Sequence, residues 1–203
     1  MDFEFFMEFI KSRRSVRKFT DQKVDPEQIE RLIEAASWAP SNHNRQGWKF
    51  IVFSDTHEIE ALASQTRNFI KQSLEGSHKL LSGHAEELIH FSGVFDKASV
   101  LILAMHKKSP AVGTKMLKTS ASKSVSSEAV STAMACQNLL LAAHCMGLGA
   151  CVMTAPLIAG PMWNSVKNLP AGFESTCLVA VGYPAEKPQT PRRKKFEHII
   201  EYR

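Results

Sequence analysis

The stretch Arg13-Arg14-Ser15-Val16-Arg17-Lys18-Phe19 limits the possible folds of this chain more than any other. Its cations cannot enter a core, because burying unpaired charge costs several kcal/mol. Yet it lies between two segments with helical periodicity, so it must run along a surface. There it serves either as a solvated turn between helices or as an anion cradle. The second use has a chemical basis: guanidinium forks match phosphate oxygens, and the Ser15 hydroxyl adds one more donor.

The 203 residues suit one domain, or one domain with an inserted lid. No apolar run approaches a bilayer span, and the longest, 98–105, suits a buried strand. The acidic start Met1-Asp2-Phe3-Glu4 lacks the order of a secretory signal, which predicts a cytoplasmic protein without membrane association. Cys136, Cys145, Cys151 and Cys177 sit in apolar segments without C-x-x-C pairing, so free, buried thiols are expected. No histidine spacing matches a metal site. A net charge of +5 calls for an anionic partner, either nucleic acid or a phosphorylated cofactor. With no helix-turn-helix, zinc finger or RNA-recognition aromatic motif, nucleic acid is the remote choice.

In chain order, Phe3, Phe6, Met7 and Ile10 make an apolar stripe on a helix over 2–12. Asp25-Pro26-Glu27 starts a second helix, which Pro40 ends. The polar loop 39–47 follows, then a strand over 48–54 and a helix capped by Asp55 or Thr56 and running to about Thr66. Residues 67–95 are predicted partly helical and lid-like, 98–105 a strand, and 107–124 an exposed loop. The apolar segment 127–146 is predicted as the central helix, stopped by Gly147 and Gly149. A short strand at 150–153, a helix over 156–167 and a buried strand over 175–182 come next. The proline-rich basic tail ends in a strand-like stretch, 196–202.

Four ordered segments together resemble the FMN-dependent nitroreductase family. They are Arg-Arg-Ser-x-Arg-x-Phe at 13–19, Ala-Pro-Ser-x-x-Asn-x-Gln-x-Trp at 39–48, Gly-Leu-Gly-Ala-Cys at 147–151, and Val-Gly-Tyr-Pro at 181–184 with its Pro/Arg/Lys tail. The resemblance implies an α+β fold, a mostly antiparallel sheet surrounded by helices. It implies a single nitroreductase-like domain over 1–203, with a variable lid at about 67–124 and a C-terminal dimer arm at about 184–203. The arm would be exchanged in an intertwined homodimer that holds two FMN at its interface.

By the same resemblance, Arg13, Arg14 and Ser15 bind the ribityl phosphate, joined by Arg193 or Arg192 from the tail. Arg17 lies beside flavin N1 and the C2 carbonyl, where negative charge develops on reduction. Pro40, Ser41 and Asn42 reach the partner's flavin, and Asn44 and Gln46 fix the ring or brace the loop. Gly47 stands where the family commonly has proline. Met153, Thr154 and Ala155 form the turn that offers a main-chain N–H near flavin N5. His43 and Arg45 are expected to face solvent. The implied activity is hydride transfer from NADH or NADPH to flavin N5 and on to an electron-poor nitroaromatic or quinone-like acceptor, by a ping-pong mechanism. The donor would bind transiently, since Gly147-Leu148-Gly149 is not a Rossmann fingerprint. Reductive dehalogenation of a phenol is the competing flavin chemistry. It would use a lid tyrosine, and this chain's Tyr183 and Tyr202 lie outside the lid. Other specialised flavin chemistry and a non-catalytic flavin carrier are the remaining alternatives.

Overall fold

The computed structural model describes residues 2–74, 84–108, 126–166 and 169–203. Its centre is a four-stranded sheet of β1 (Trp48–Phe53), β2 (Val100–Lys107), β3 (Gly149–Met153) and β4 (Phe173–Gly182). The strand order is β1-β2-β4-β3, and every neighbouring pair is antiparallel, with Phe50 opposite Ala104, Ile102 opposite Val179 and Cys151 opposite Ala180. The register shifts between Ala104 and Met105.

Helices cover both faces. They are α1 (Phe3–Ser12), α2 (Pro26–Ser37), α3 (Thr56–Leu74), α4 (Ala85–Phe91), α5 (Ser127–Cys145) and α6 (Gly160–Asn164). Local chemistry sets their starts: Asp2 Oδ1 accepts the Phe5 N–H at 2.8 Å, and Ser126 Oγ accepts the Ala129 N–H at 3.3 Å. Alternation along β2 then splits the core in two. Leu101 and Leu103 pack with Ile59, Ile70, Phe95 and Trp163 on one face. Val100 and Ile102 pack with Leu32, Leu139 and Ala143 on the other. A strand buried on both sides reads as an unbroken apolar run, which is why the sequence shows it so clearly.

Several expectations need correction. Helix α3 continues past Thr66 to Leu74, because Thr66 bonds back to the Leu62 carbonyl at 2.7 Å and Ile70 is buried one turn later. The helix expected over 156–167 is a 3₁₀ turn at Ala155–Ala159 followed by the five-residue α6. The tail stretch 196–202 is not a strand: Phe196–His198 form a 3₁₀ turn and the rest pairs with no strand among the described residues. Cys145 is exposed, whereas Cys136, Cys151 and Cys177 are buried, and all four are free. Gly147, at φ 73°, ends α5, and Gly149 already belongs to β3. The loop expected at 107–124 falls almost wholly outside the described residues. No described helix is long and apolar enough to cross a membrane.

Candidate functional site

The basic segment lies along the open edge of β3. Ser15 bridges Ala150 in parallel, the Val16 N–H donates to the Ala150 carbonyl at 3.1 Å, and Phe19 bridges Pro184. Val16 and Phe19 are buried and anchor the segment, leaving its cations outside the core. The approach is close because glycines stand opposite: a Cβ on Gly149 would lie 2.7 Å from Val16 Cγ1, and one on Gly182 2.9 Å from Phe19 Cδ1. Glu186 binds the turn from outside, its Oε1 accepting the N–H groups of Arg17 at 2.7 Å and Lys18 at 3.1 Å.

Arg13 and Arg14 line an open cavity of about 490 Å³ together with His144, Gly147, Gly149 and Lys187. Arg14 is held in place there, its Nη1 donating to the Arg13 carbonyl at 2.8 Å and its Nη2 to Thr190 Oγ1 at 2.6 Å. His144 stacks against Phe9 with ring centroids 5.0 Å apart and touches Ser12 Oγ through Nε2 at 2.6 Å. Burial, then the charges of Arg13 and Arg14, hold its imidazole below the usual histidine range. Burial pushes the Cys151 thiol up, although Arg17 and Ser15 act in the opposite direction.

A second cavity of about 440 Å³ opens beside Ala155, lined mainly by Leu74, Leu88, Phe91 and Ala155, with His84 and Glu87 adding polar groups. The Arg17 guanidinium sits 5.9 Å from the Phe91 ring centroid, a cation–π contact that links the basic segment to this apolar chamber. Met153 is buried at the end of β3, while Thr154 is exposed at the turn into Ala155.

The loop after α2 behaves differently. His43, Asn44 and Gln46 all adopt left-handed backbone, at φ 51°, 52° and 49°. Such conformations cost on the order of 1 kcal/mol or more each and persist only where neighbours enforce them. Here Ser41 Oγ accepts the Gln46 N–H at 3.0 Å, Ser131 Oγ accepts the Asn42 N–H at 3.1 Å, and Gln46 Nε2 donates to Asn44 Oδ1 at 3.2 Å. Gly47 is closely approached: a Cβ there would lie 2.5 Å from the buried Glu128 Oε2, so a larger residue requires that carboxylate to move. His43 and Arg45 are exposed as expected, and Arg45 Nη1 lies 3.6 Å from Glu128 Oε1. Pro40 is exposed, and Ser41 and Asn42 are half-buried.

The structure therefore brings Arg13 and Arg14 to one cavity, Ser15 and Arg17 to another of about 380 Å³ that shares Glu186 and Pro188 with it, and Ala155 to the apolar one. It brings 40–46 to none of the three. That loop meets α5 at Ser131, whereas the Arg13–Arg14 cavity meets it from Leu140 to His144, about 13–20 Å further along the helix axis. Arg192 and Arg193 are exposed on the tail, and the tail cation that lines the cavity is Lys187. Sequence reasoning missed Lys187, Glu186 and His144. Glu186 carried a signal, as the one acid between Tyr183 and Phe196 in the basic, proline-rich part of the tail, whereas nothing local marks a histidine at the end of an apolar helix. Among the described residues no group of three His, Cys, Asp or Glu side chains could hold a metal ion.

The sequence profile of the nitroreductase family matches residues 10–183. The chain belongs to the nitroreductase family. It is 31% identical over 210 residues to an iodotyrosine deiodinase of Haliscomenobacter hydrossis, covering 97% of this chain and 88% of that one. It is 30% identical over 206 residues to the iodotyrosine deiodinase of Danio rerio, covering 97% of this chain. The chain spans 66% of the length of that vertebrate relative. Among solved structures, a protein of Desulfovibrio desulfuricans assigned as a nitroreductase, in complex with FMN, superposes with a TM-score of 0.69 at 26% identity, covering 97% of this chain and 96% of that one.

Proposed function

We propose that this member of the nitroreductase family is an FMN-dependent oxidoreductase that works as a homodimer. The observation that carries the reading is the pairing of a cationic cavity at Arg13 and Arg14 with an apolar one at Ala155. A phosphate-bearing tail and a flat aromatic ring need those two environments, and the donor set is right for a phosphate. Bound FMN would supply the redox chemistry, accepting hydride from NADH or NADPH and passing it to an electron-poor acceptor such as a nitroaromatic or a quinone.

The chain's own residues bind and orient. Arg13, Arg14 and Ser15 hold the phosphate, with Lys187 and the tail cations Arg192 and Arg193 adding positive charge. Arg17 faces the side of the ring where negative charge accumulates, and the turn 153–155 presents main-chain donors. Pro40, Ser41, Asn42, Asn44 and Gln46 act on the partner's site. Their distance from their own cradle supports this assignment. So do exposed apolar side chains such as Phe3, Phe5, Trp38, Val130 and Met134, which a second copy would cover. The domain would span 1–203, with α4 as the lid's described wall and 184–203 as the dimer arm. Free thiols support a reducing, cytoplasmic compartment.

Similarity to iodotyrosine deiodinases over nearly the whole chain favours a second reading, flavin-dependent reductive dehalogenation. One experiment separates them. The purified protein is examined for a flavin spectrum, treated anaerobically with NADH and with NADPH, then given a nitroaromatic, a quinone or an iodophenol. Bleaching by one nucleotide and recovery with nitroaromatic or quinone supports the first reading. Iodide release, with little response to the other acceptors, supports the second. A colourless protein that takes up no added FMN refutes both.

A further inference from the structure

We propose that His144 is a proton-accepting member of the Arg13–Arg14 cradle, so that seating an organic phosphate there draws a proton onto His144 Nδ1. This inference rests on the reading that a flavin phosphate occupies that cavity.

The assignment begins with the hydrogen bonds around Ser12. A serine hydroxyl has one proton, and Ser12 Oγ gives it to the Phe9 carbonyl at 2.8 Å. With that proton on the Phe9 carbonyl, the 2.6 Å contact with His144 Nε2 runs the other way, the ring N–H donating to the hydroxyl oxygen. In that arrangement the ring is the Nε2–H tautomer, and Nδ1 is the ring atom able to take a proton. The ring is placed by its contact with Phe9 and by the last turn of a helix whose Leu139, Leu140 and Ala143 lie in the core.

The charges facing His144 are unbalanced. From the α1 side come Ser12, Arg13 and Arg14; from the tail come Glu186, Lys187 and Thr190, all on the same cavity. Within a turn of it α5 carries no Asp, Glu, Lys or Arg, and its other titratable group there is the exposed Cys145 thiol. Partial burial, and after it the charges of Arg13 and Arg14, disfavour the imidazolium. A phosphate dianion among these cations reverses the local sign. The proton that the empty cradle repels becomes one more favourable contact for the phosphate. Seating the anion and protonating Nδ1 are then linked, each promoting the other. The linkage has a recognisable direction. A phosphate monoester loses its second proton at about pH 6, so settling among cations can only make the phosphate release protons. Uptake has to come from the protein.

The test is calorimetric titration of the flavin-free full-length chain at pH 7.5, in buffers that differ in ionisation enthalpy. FMN and riboflavin are the two probes, the second lacking the phosphate. The expected result is uptake of a fraction of a proton per FMN and none for riboflavin. In His144→Gln the uptake is lost, and FMN affinity at pH 6.5 falls by about tenfold, as for one charge-assisted contact. FMN binding with no uptake, or with uptake that His144→Gln retains, overturns the His144 assignment and leaves the flavoprotein reading standing. Failure of both flavins to bind overturns both. If His144→Gln does not fold, the wild-type comparison of FMN with riboflavin still decides. The His144 ring resonance, followed by NMR, must shift toward the imidazolium position with FMN and stay put with riboflavin.

Discussion

Replacing Gly149 by alanine tests how the fold holds the cradle. The added Cβ would lie 2.7 Å from Val16 Cγ1 and 2.8 Å from Val16 Cβ. Carbon pairs rest at about 3.5–4.0 Å, so the two strands must part by about 1 Å. Val16 Cβ is fixed to its backbone, so no rotamer change relieves the contact, and the bond from the Val16 N–H to the Ala150 carbonyl, 3.1 Å long, must stretch. Overpacking of this kind costs about 1–3 kcal/mol. Because Arg13 and Arg14 hang from the same segment, FMN affinity should fall together with stability. Val16→Ala alone removes two buried methyl groups and should cost about 2 kcal/mol. Combined, the new Cβ occupies the space the valine leaves, so the double variant should be more stable than the sum of the single effects predicts, by about 1–3 kcal/mol. Urea unfolding of the four proteins gives the cycle, and quenching of flavin fluorescence gives the affinities. Additive effects, or a Gly149→Ala protein with unchanged midpoint and FMN affinity, would refute the close-approach argument.

Arg13→Ala should weaken FMN binding by about 1.5–3 kcal/mol and leave riboflavin binding unchanged, since only the phosphate meets the guanidinium; equal loss for both flavins would place Arg13 elsewhere. If the chain forms the proposed homodimer, truncation before Pro188 should weaken it toward monomer on a sizing column, and an unchanged dimer would reject the arm as its clasp. In the flavin-free protein His144 is held below the usual histidine range, so the unfolded chain protonates first as pH falls. Stability against urea should therefore drop as pH is lowered through about 6.5, and His144→Gln should flatten that drop; equal pH profiles would show that another group is responsible.

Much of this protein was legible before folding. The unbroken apolar run of β2, the Asp25-Pro26 start of α2 and the long α5 are local signals, set by side-chain periodicity and capping chemistry that act within a few residues. The basic run had to be superficial for the same kind of reason, because no burial could accommodate its charge. Four spaced motifs were enough for the family.

Where the sequence erred, the outcome turned on partners far away in the chain. Helix α3 outruns its own periodicity because Phe95 and Trp163 meet it in the core. The final strand-like stretch stays unpaired because β propensity needs an edge to join, and the arm residues are exposed in this protomer. The crowding at Gly47 is likewise visible only across space, since the buried carboxylate of Glu128 that approaches it lies more than eighty positions later. The same holds for the cradle. Composition required a surface for Arg13 and Arg14, but only the tertiary structure could decide that the open edge of β3 would receive them, with His144 and Lys187 beside them. Those contacts join residues more than 130 positions apart, and their energies come from packing and charge in three dimensions that no local pattern records.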